Sequence, residues 1–165
     1  MLRLTEVIDV ETAGQGADAA ALSLTFEDRR RSRLLARLAD GSEVALMLPR
    51  GTVLRDGDCL RGEAAGPIVR VRAAPETLSV ARTDDAHLLT RAAYHLGNRH
   101  VPLQIGAGWL AYQHDHVLDD LARELGLHVA TEIRAFEPEA GGYRHQGSHA
   151  HGHTHQHDHG HDHHH

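Results

Sequence analysis

Lysine is absent from this chain: all 17 basic residues are arginine. Cysteine is nearly so. Cys59 has no partner, which excludes an internal disulfide and any cysteine-based zinc finger. Aromatic residues are scarce at 4%, although 41% of the 165 residues are apolar, enough for one domain of usual size or two small ones. No apolar run approaches the ~18 residues of a membrane-spanning helix. The opening Met1-Leu2-Arg3-Leu4-Thr5-Glu6 has no apolar signal region and already carries an acid. These absences lead us to expect a soluble, cytoplasmic protein with no membrane partner. A net charge of −6 with histidine neutral gives no footprint for nucleic acid. The one basic cluster, Arg29-Arg30-Arg31-Ser32-Arg33, reads as a solvated turn or strand edge, since no other basic or aromatic stripe accompanies it.

What the chain has in excess is histidine: 17 residues, eleven of them at or after His145. Past His145 come His149, His151, His153, His155, His157, His159, His161 and His163 at every second position, and His164 and His165 close the run. Neutral imidazole is a borderline ligand suited to Ni²⁺, Cu²⁺, Zn²⁺ and Co²⁺. In an extended chain alternate side chains share one side, so neighbouring imidazoles can reach one ion. At 2–4 imidazoles per ion, the tail has capacity for roughly three to five ions. Its interleaved pattern, with Asp158 and Asp162, differs from the uninterrupted run of a purification tag. The segment from His145 onward holds one alanine and no larger aliphatic residue, nor any Phe, Tyr or Trp. It cannot bury enough surface to offset its ordering entropy and is expected to be disordered without metal.

The rest of the chain divides by pattern into residues 1–75 and 76–140, with 141–165 as the tail. In the first part Leu34, Ala36 and Leu38 alternate with Arg33, Leu35 and Arg37. Asp40-Gly41 signals a hairpin, and Val44, Leu46 and Leu48 resume the alternation. Pro49-Arg50-Gly51 and Arg55-Asp56-Gly57-Asp58 are turn sequences, and Ile68-Val69-Arg70-Val71 a short strand. No long helical period stands out, so a small all-β domain is expected. The second part opens on a strand at Leu78–Ala81. Asp84 is the candidate cap of a helix whose face carries Leu88, Leu89, Ala92, Ala93 and Leu96, with Gly97 at its end. Strands are expected at Val101–Ile105 and Trp109–Tyr112. A second helix follows, capped by Asp115, faced by Leu118, Leu121, Ala122 and Leu125, and closed by Gly126; a last strand lies at Val129–Ile133. The order β-α-β-β-α-β is that of a ferredoxin-like domain. The fold class is therefore α+β: an N-terminal β domain, a ferredoxin-like domain and a histidine-rich tail.

The body offers a second histidine cluster. His114-Asp115-His116 falls where a strand gives way to a helix, and two imidazoles two residues apart can reach one ion, with the intervening carboxylate behind them. Taken alone such a triplet reads more readily as surface chemistry or helix capping; beside a histidine-rich tail the balance moves towards metal. His100 lies just past the first helix, where a lone histidine ordinarily complements the helix C-terminus. His87, His95 and His128 are read as structural or solvated, and Cys59 as a small buried residue.

Three blocks together resemble the UreE urease accessory proteins. They are Tyr94-His95-Leu96-Gly97-Asn98-Arg99-His100-Val101-Pro102-Leu103-Gln104, His114-Asp115-His116-Val117-Leu118-Asp119, and Phe136-Glu137-Pro138-Glu139 before a histidine-rich tail. Leu48-Pro49-Arg50-Gly51-Thr52-Val53-Leu54 with Asp56-Gly57-Asp58 is similar to that family's N-terminal domain. The resemblance implies a homodimeric nickel chaperone that passes Ni²⁺ to the urease apoprotein, in a complex of accessory proteins that includes a GTPase. It implies an N-terminal domain for partners or peptides and a C-terminal metal domain. It matches the family's central metal-binding histidine at the dimer interface to His100, and further body ligands to His114 and His116. Individual tail ligands do not carry over.

A nickel or zinc storage protein would need the same tail but no delivery partner. A metal hydrolase is disfavoured: the chain is too short for a barrel of ~250 residues and has no His-Glu-x-x-His motif. The expectation is a protein that is not an enzyme.

Overall fold

The computed structural model describes residues 1–9, 20–62 and 66–141. Two sheets account for most of them. The first runs through β1 (Leu2–Ile8), β2 (Ala20–Leu24), a one-turn helix α1 (Phe26–Arg29), β3 (Arg33–Arg37), β4 (Glu43–Met47), β5 (Cys59–Gly62) and β6 (Val69–Ala73). Its strand order is β2-β6-β5-β1-β4-β3, with parallel pairs β1/β4 and β2/β6 and the other neighbours antiparallel.

The expected alternation builds the β3–β4 hairpin. Leu34 pairs with Leu46 and Ala36 with Val44 on the inward face, while Leu35 stands 61% exposed on the other. At the turn Gly41 adopts φ 85, which a side chain would resist. The Asp40 carboxylate accepts from the Ser42 amide at 2.9 Å and hydroxyl at 2.6 Å, which holds it below the usual carboxylate range. Cys59 is fully buried, as expected of a cysteine used as a small apolar residue.

The second sheet comes from β7 (Pro75–Arg82), β8 (Gln104–Gly106), β9 (Trp109–Gln113) and β10 (His128–Ala135), with α2 (Ala86–Gly97) and α3 (His116–Glu124). Its strand order is β10-β7-β9-β8, all antiparallel. The helices present the apolar faces read from their spacing, and Ala92, Leu96 and Ala122 close over Ala81, Leu110 and Tyr112. Several details differ from expectation, among them a β7 that runs from Pro75 to Arg82 rather than Leu78–Ala81. Asp85, not Asp84, caps α2, its Oδ1 accepting from the His87 and Leu88 amides at 2.8 and 3.1 Å. Residues 101–103 stay outside the ladder: Pro102 has no N–H to donate, and the Leu103 carbonyl accepts instead from the Glu139 amide at 2.7 Å. And β10 is longer than Val129–Ile133, because its pairing with β7 holds from His128↔Arg82 to Ala135↔Pro75.

The opposite face of this sheet is where the two halves meet. Leu78, Val80 and Ala111 form a cluster with Phe26 from α1 and Phe136 from the segment after β10. The two rings meet edge to face at 5.4 Å and 78°. Beside them lies Arg29, which the sequence reading placed in a solvated cluster and which is in fact fully buried. It donates to the Leu54 carbonyl at 3.1 Å, to the Phe136 carbonyl and to the Glu137 carboxylate. Arg30 and Arg31, in the same run, are about half exposed, as the run as a whole was expected to be.

Gly106 pairs with Trp109 across the β8–β9 turn, and a Cβ there would fall 2.0–2.4 Å from three indole atoms. The indole is also covered by the Arg134 guanidinium, 4.5 Å from its ring. Gly106→Ala is therefore expected to displace the ring and lower stability by about 1–3 kcal/mol, measured by urea unfolding. An unchanged midpoint would mean that the indole has free room to move.

Candidate metal site

The described histidines divide into a groove, a sheet end and bare surface. His100 belongs to the groove. α2 does not stop at Gly97 by a left-handed glycine. The chain continues through turns in which the His100 amide donates to the Gly97 carbonyl at 2.9 Å, and His100 itself takes φ 58. It is the one non-glycine residue with positive φ among the described residues. Histidine enters this region more readily than most side chains, yet at a cost of about 1 kcal/mol. Such an outlier in an exposed residue is a pointer to function rather than to packing.

The groove around His100 has a volume of about 1010 Å³ and is open to solvent. Phe26, Arg30, Val53 and Arg55 of the first unit form one wall; Ala93, Gly97, His100, Leu103 and Ile105 form the other. The chain's last described residues, Glu139 to Gly141, run along it. The two residues just before them are fastened on both sides. Arg55 Nη1 donates to the Pro138 carbonyl at 2.6 Å, while the Glu137 amide donates to Gln104 Oε1 at 3.1 Å. The described chain therefore ends at the groove that His100 also lines. The tail histidines, His145 and His149 to His165, lie outside the described residues.

His114 and His116 follow the C-terminal end of β9. Asp115 is consumed as the cap of α3, its Oδ1 accepting from the Val117 and Leu118 amides at 2.8 and 3.1 Å. It does not stand behind the imidazoles as a supporting carboxylate. That place belongs to Asp119, one turn further on, which is 3% exposed. Its Oδ2 lies 3.5 Å from His114 Nδ1 and 3.7 Å from Arg123 Nη2, and its Oδ1 accepts from the Tyr112 hydroxyl at 3.0 Å. Burial, and next the Asp119 carboxylate, push the Tyr112 phenol above its ordinary range, so it stays a hydrogen-bond donor. Ser79 Oγ completes the surroundings of His114 at 2.9 Å from Nδ1. His116 opens α3 and is exposed, as are His87, His95 and His128.

Sequence reasoning named His100, His114 and His116 but missed Ser79, Tyr112 and Asp119. A signal for Asp119 was present: an acid between Leu118 and Ala122, on the stripe that otherwise faces the core. Among the described residues no three His, Cys, Asp or Glu side chains gather closely enough to enclose an ion. The exposed imidazoles suit divalent transition metals by donor type, but one chain's described residues hold no finished cage.

Residues 4–74 match the model for the N-terminal domain of the UreE urease accessory protein, and residues 76–165 that for its C-terminal domain. The chain belongs to the UreE family. It is 56% identical over 144 residues to the urease accessory protein UreE of Alkalilimnicola ehrlichii, covering 87% of this chain and 85% of the relative. The protein of that name in Proteus mirabilis is 48% identical over 147 residues, covering 87% and 91%. The two sheets are thus the two domains of a UreE protein, whose role is in urease maturation. Such a protein is an accessory factor and not an enzyme. No helix among the described residues is long and apolar enough to cross a membrane.

Proposed function

We propose that this UreE family member is a nickel metallochaperone that carries Ni²⁺ to the urease apoprotein. The observation that carries the proposal is His100: an exposed imidazole held in left-handed backbone, in a groove that Glu139 to Gly141, the last described residues before the histidine-rich sequence, also line. With no group of three candidate ligands among the described residues, His100 suits a site completed from elsewhere. In a homodimer with twofold symmetry two copies meet across the axis and supply two ligands from one position. His114, His116 or tail imidazoles then fill the shell, and an ion so held keeps positions open for an incoming acceptor. Zn²⁺, Cu²⁺ or Co²⁺ would bind the same donors, so selectivity for nickel comes from supply and partners. The partners on this reading are the urease apoprotein and its accessory proteins, including the GTPase, in the cytoplasm. Residues 76–140 act as the metal domain, and their β-α-β-β-α-β order with strands β10-β7-β9-β8 supports a ferredoxin-like reading. Residues 1–75 serve partner or peptide binding, and 141–165 collect metal.

The eleven histidines of the tail also favour a second reading, a nickel or zinc store without a delivery partner. Activation assays separate the two. In a cell extract depleted of this protein, adding it back restores urease activation if it is a chaperone and leaves it unchanged if it only stores metal. Equilibrium dialysis adds the stoichiometry. Truncation after Arg144 is expected to remove several Ni²⁺ ions per dimer and leave at least one tight site, whereas loss of all binding would show that the body has none.

A further inference from the structure

A metal binds the imidazole nitrogen that carries no proton, so a histidine ligand needs its other nitrogen protonated and held. His114 Nδ1 is the enclosed nitrogen, with Ser79 Oγ at 2.9 Å and Asp119 Oδ2 at 3.5 Å, while the side chain as a whole is 45% exposed. Ser79 cannot decide the matter alone, because a hydroxyl either donates or accepts. A carboxylate only accepts, and its charge repels a lone pair on the facing nitrogen. Asp119 is well placed to hold this role. It is buried, clamped by the Tyr112 hydroxyl at 3.0 Å and by the Arg123 guanidinium at 3.7 Å, and carried on the same helix that His116 opens.

We propose that Asp119 is a positioning residue that, with Ser79, keeps the His114 proton on Nδ1 and so leaves Nε2 as the metal-binding atom. The Nδ1–H donates to Ser79 Oγ and points its charge toward Asp119. The ring is thereby fixed before any ion arrives. The inference rests on the reading of His114 as a metal ligand only for its consequence; the tautomer itself is a property of the metal-free protein.

Long-range ¹H–¹⁵N correlation spectra of the full chain, with the His114 ring assigned by comparison with His114→Gln, test it directly. In metal-free wild-type protein Nδ1 is expected to show the shift of a protonated nitrogen and Nε2 that of an unprotonated one. Asp119→Asn places an amide where the carboxylate was, and an amide N–H facing Nδ1 favours the proton on Nε2. The populations are then expected to reverse. The Zn²⁺ concentration that half-shifts the His114 signal should rise tenfold or more; the tail competes equally in both proteins. Tyr112→Phe loosens the same buried cluster but leaves Asp119 facing the ring, and is expected to keep the wild-type tautomer. A wild-type ring protonated on Nε2 overturns the proposal, as does a Tyr112→Phe protein that reverses the tautomer as fully as Asp119→Asn. If the tautomer is as stated but Zn²⁺ leaves the His114 signal unmoved, the positioning role stands and the assignment of His114 as a ligand fails.

Discussion

Arg29→Met is expected to destabilise the protein by about 3–5 kcal/mol, while Arg30→Met changes stability by no more than about 0.5 kcal/mol. The two arginines are neighbours in one run, yet their surroundings are opposite. The Arg29 guanidinium is fully buried and serves the Leu54 carbonyl, the Phe136 carbonyl and the Glu137 carboxylate at once. Methionine matches much of its length and apolar stem but leaves these acceptors without their donor. A buried acceptor left unsatisfied costs about 1–3 kcal/mol, and a carboxylate deprived of its partner adds to that. Glu137 is softened against the loss, being 29% exposed and also facing Arg55 at 3.6 Å, so the carbonyls carry most of the penalty. Arg30, 53% exposed in its side chain with an ion pair at 4.0 Å, has little to lose. Urea unfolding of both variants measures the contrast. Similar midpoints would show that burial of Arg29 contributes nothing specific.

This seam also explains what the sequence made legible and what it hid. The hairpin at Asp40-Gly41, the apolar faces of α2 and α3 and the caps at Asp115 and Gly126 were all readable, because each is decided by residues within a turn or two of one another. The role of Arg29 was not, because its partners lie 25, 107 and 108 positions away and nothing local marks it. A run of arginines reads as solvent-facing until one knows that Phe26 turns inward onto Phe136. The second sheet's first strand starts at Pro75, but the change from one sheet to the other is not a clean cut. A fragment starting at residue 76 would keep His100, His114 and His116 and lose Phe26 and Arg29 from the back of the second sheet. Its metal binding is therefore expected to survive at lower thermal stability. At the site the same limit applies. The imidazoles announced themselves by residue type and spacing, whereas Ser79 reaches His114 only through the pairing of β7 with β9, where Ser79 stands opposite Tyr112.

His100→Gly is expected to remove the tightest Ni²⁺ site of the body and to impair urease activation more than loss of the whole tail, without destabilising the fold. The backbone argument is specific to this position. With φ 58, His100 occupies a region where a Cβ meets the following carbonyl, a strain of about 1 kcal/mol that glycine does not carry. Glycine gives back part of that advantage through the larger entropy of its unfolded chain, about 0.5–1 kcal/mol. The net effect is a stability between unchanged and about 1 kcal/mol higher. No packing is lost, since the side chain is exposed at the groove. A residue whose removal relieves the backbone but abolishes delivery would be there for its imidazole alone. Thermal unfolding gives the first half of the result. Isothermal titration of protein truncated after Arg144, with and without His100→Gly, gives the second, alongside urease activation by the same proteins. The dimer should persist in the variant, because apolar contact rather than metal is expected to hold it, and sedimentation would show this. If the truncated His100→Gly protein kept its tight site and full activation, the ion in transit would have to be held by His114 and His116 without His100.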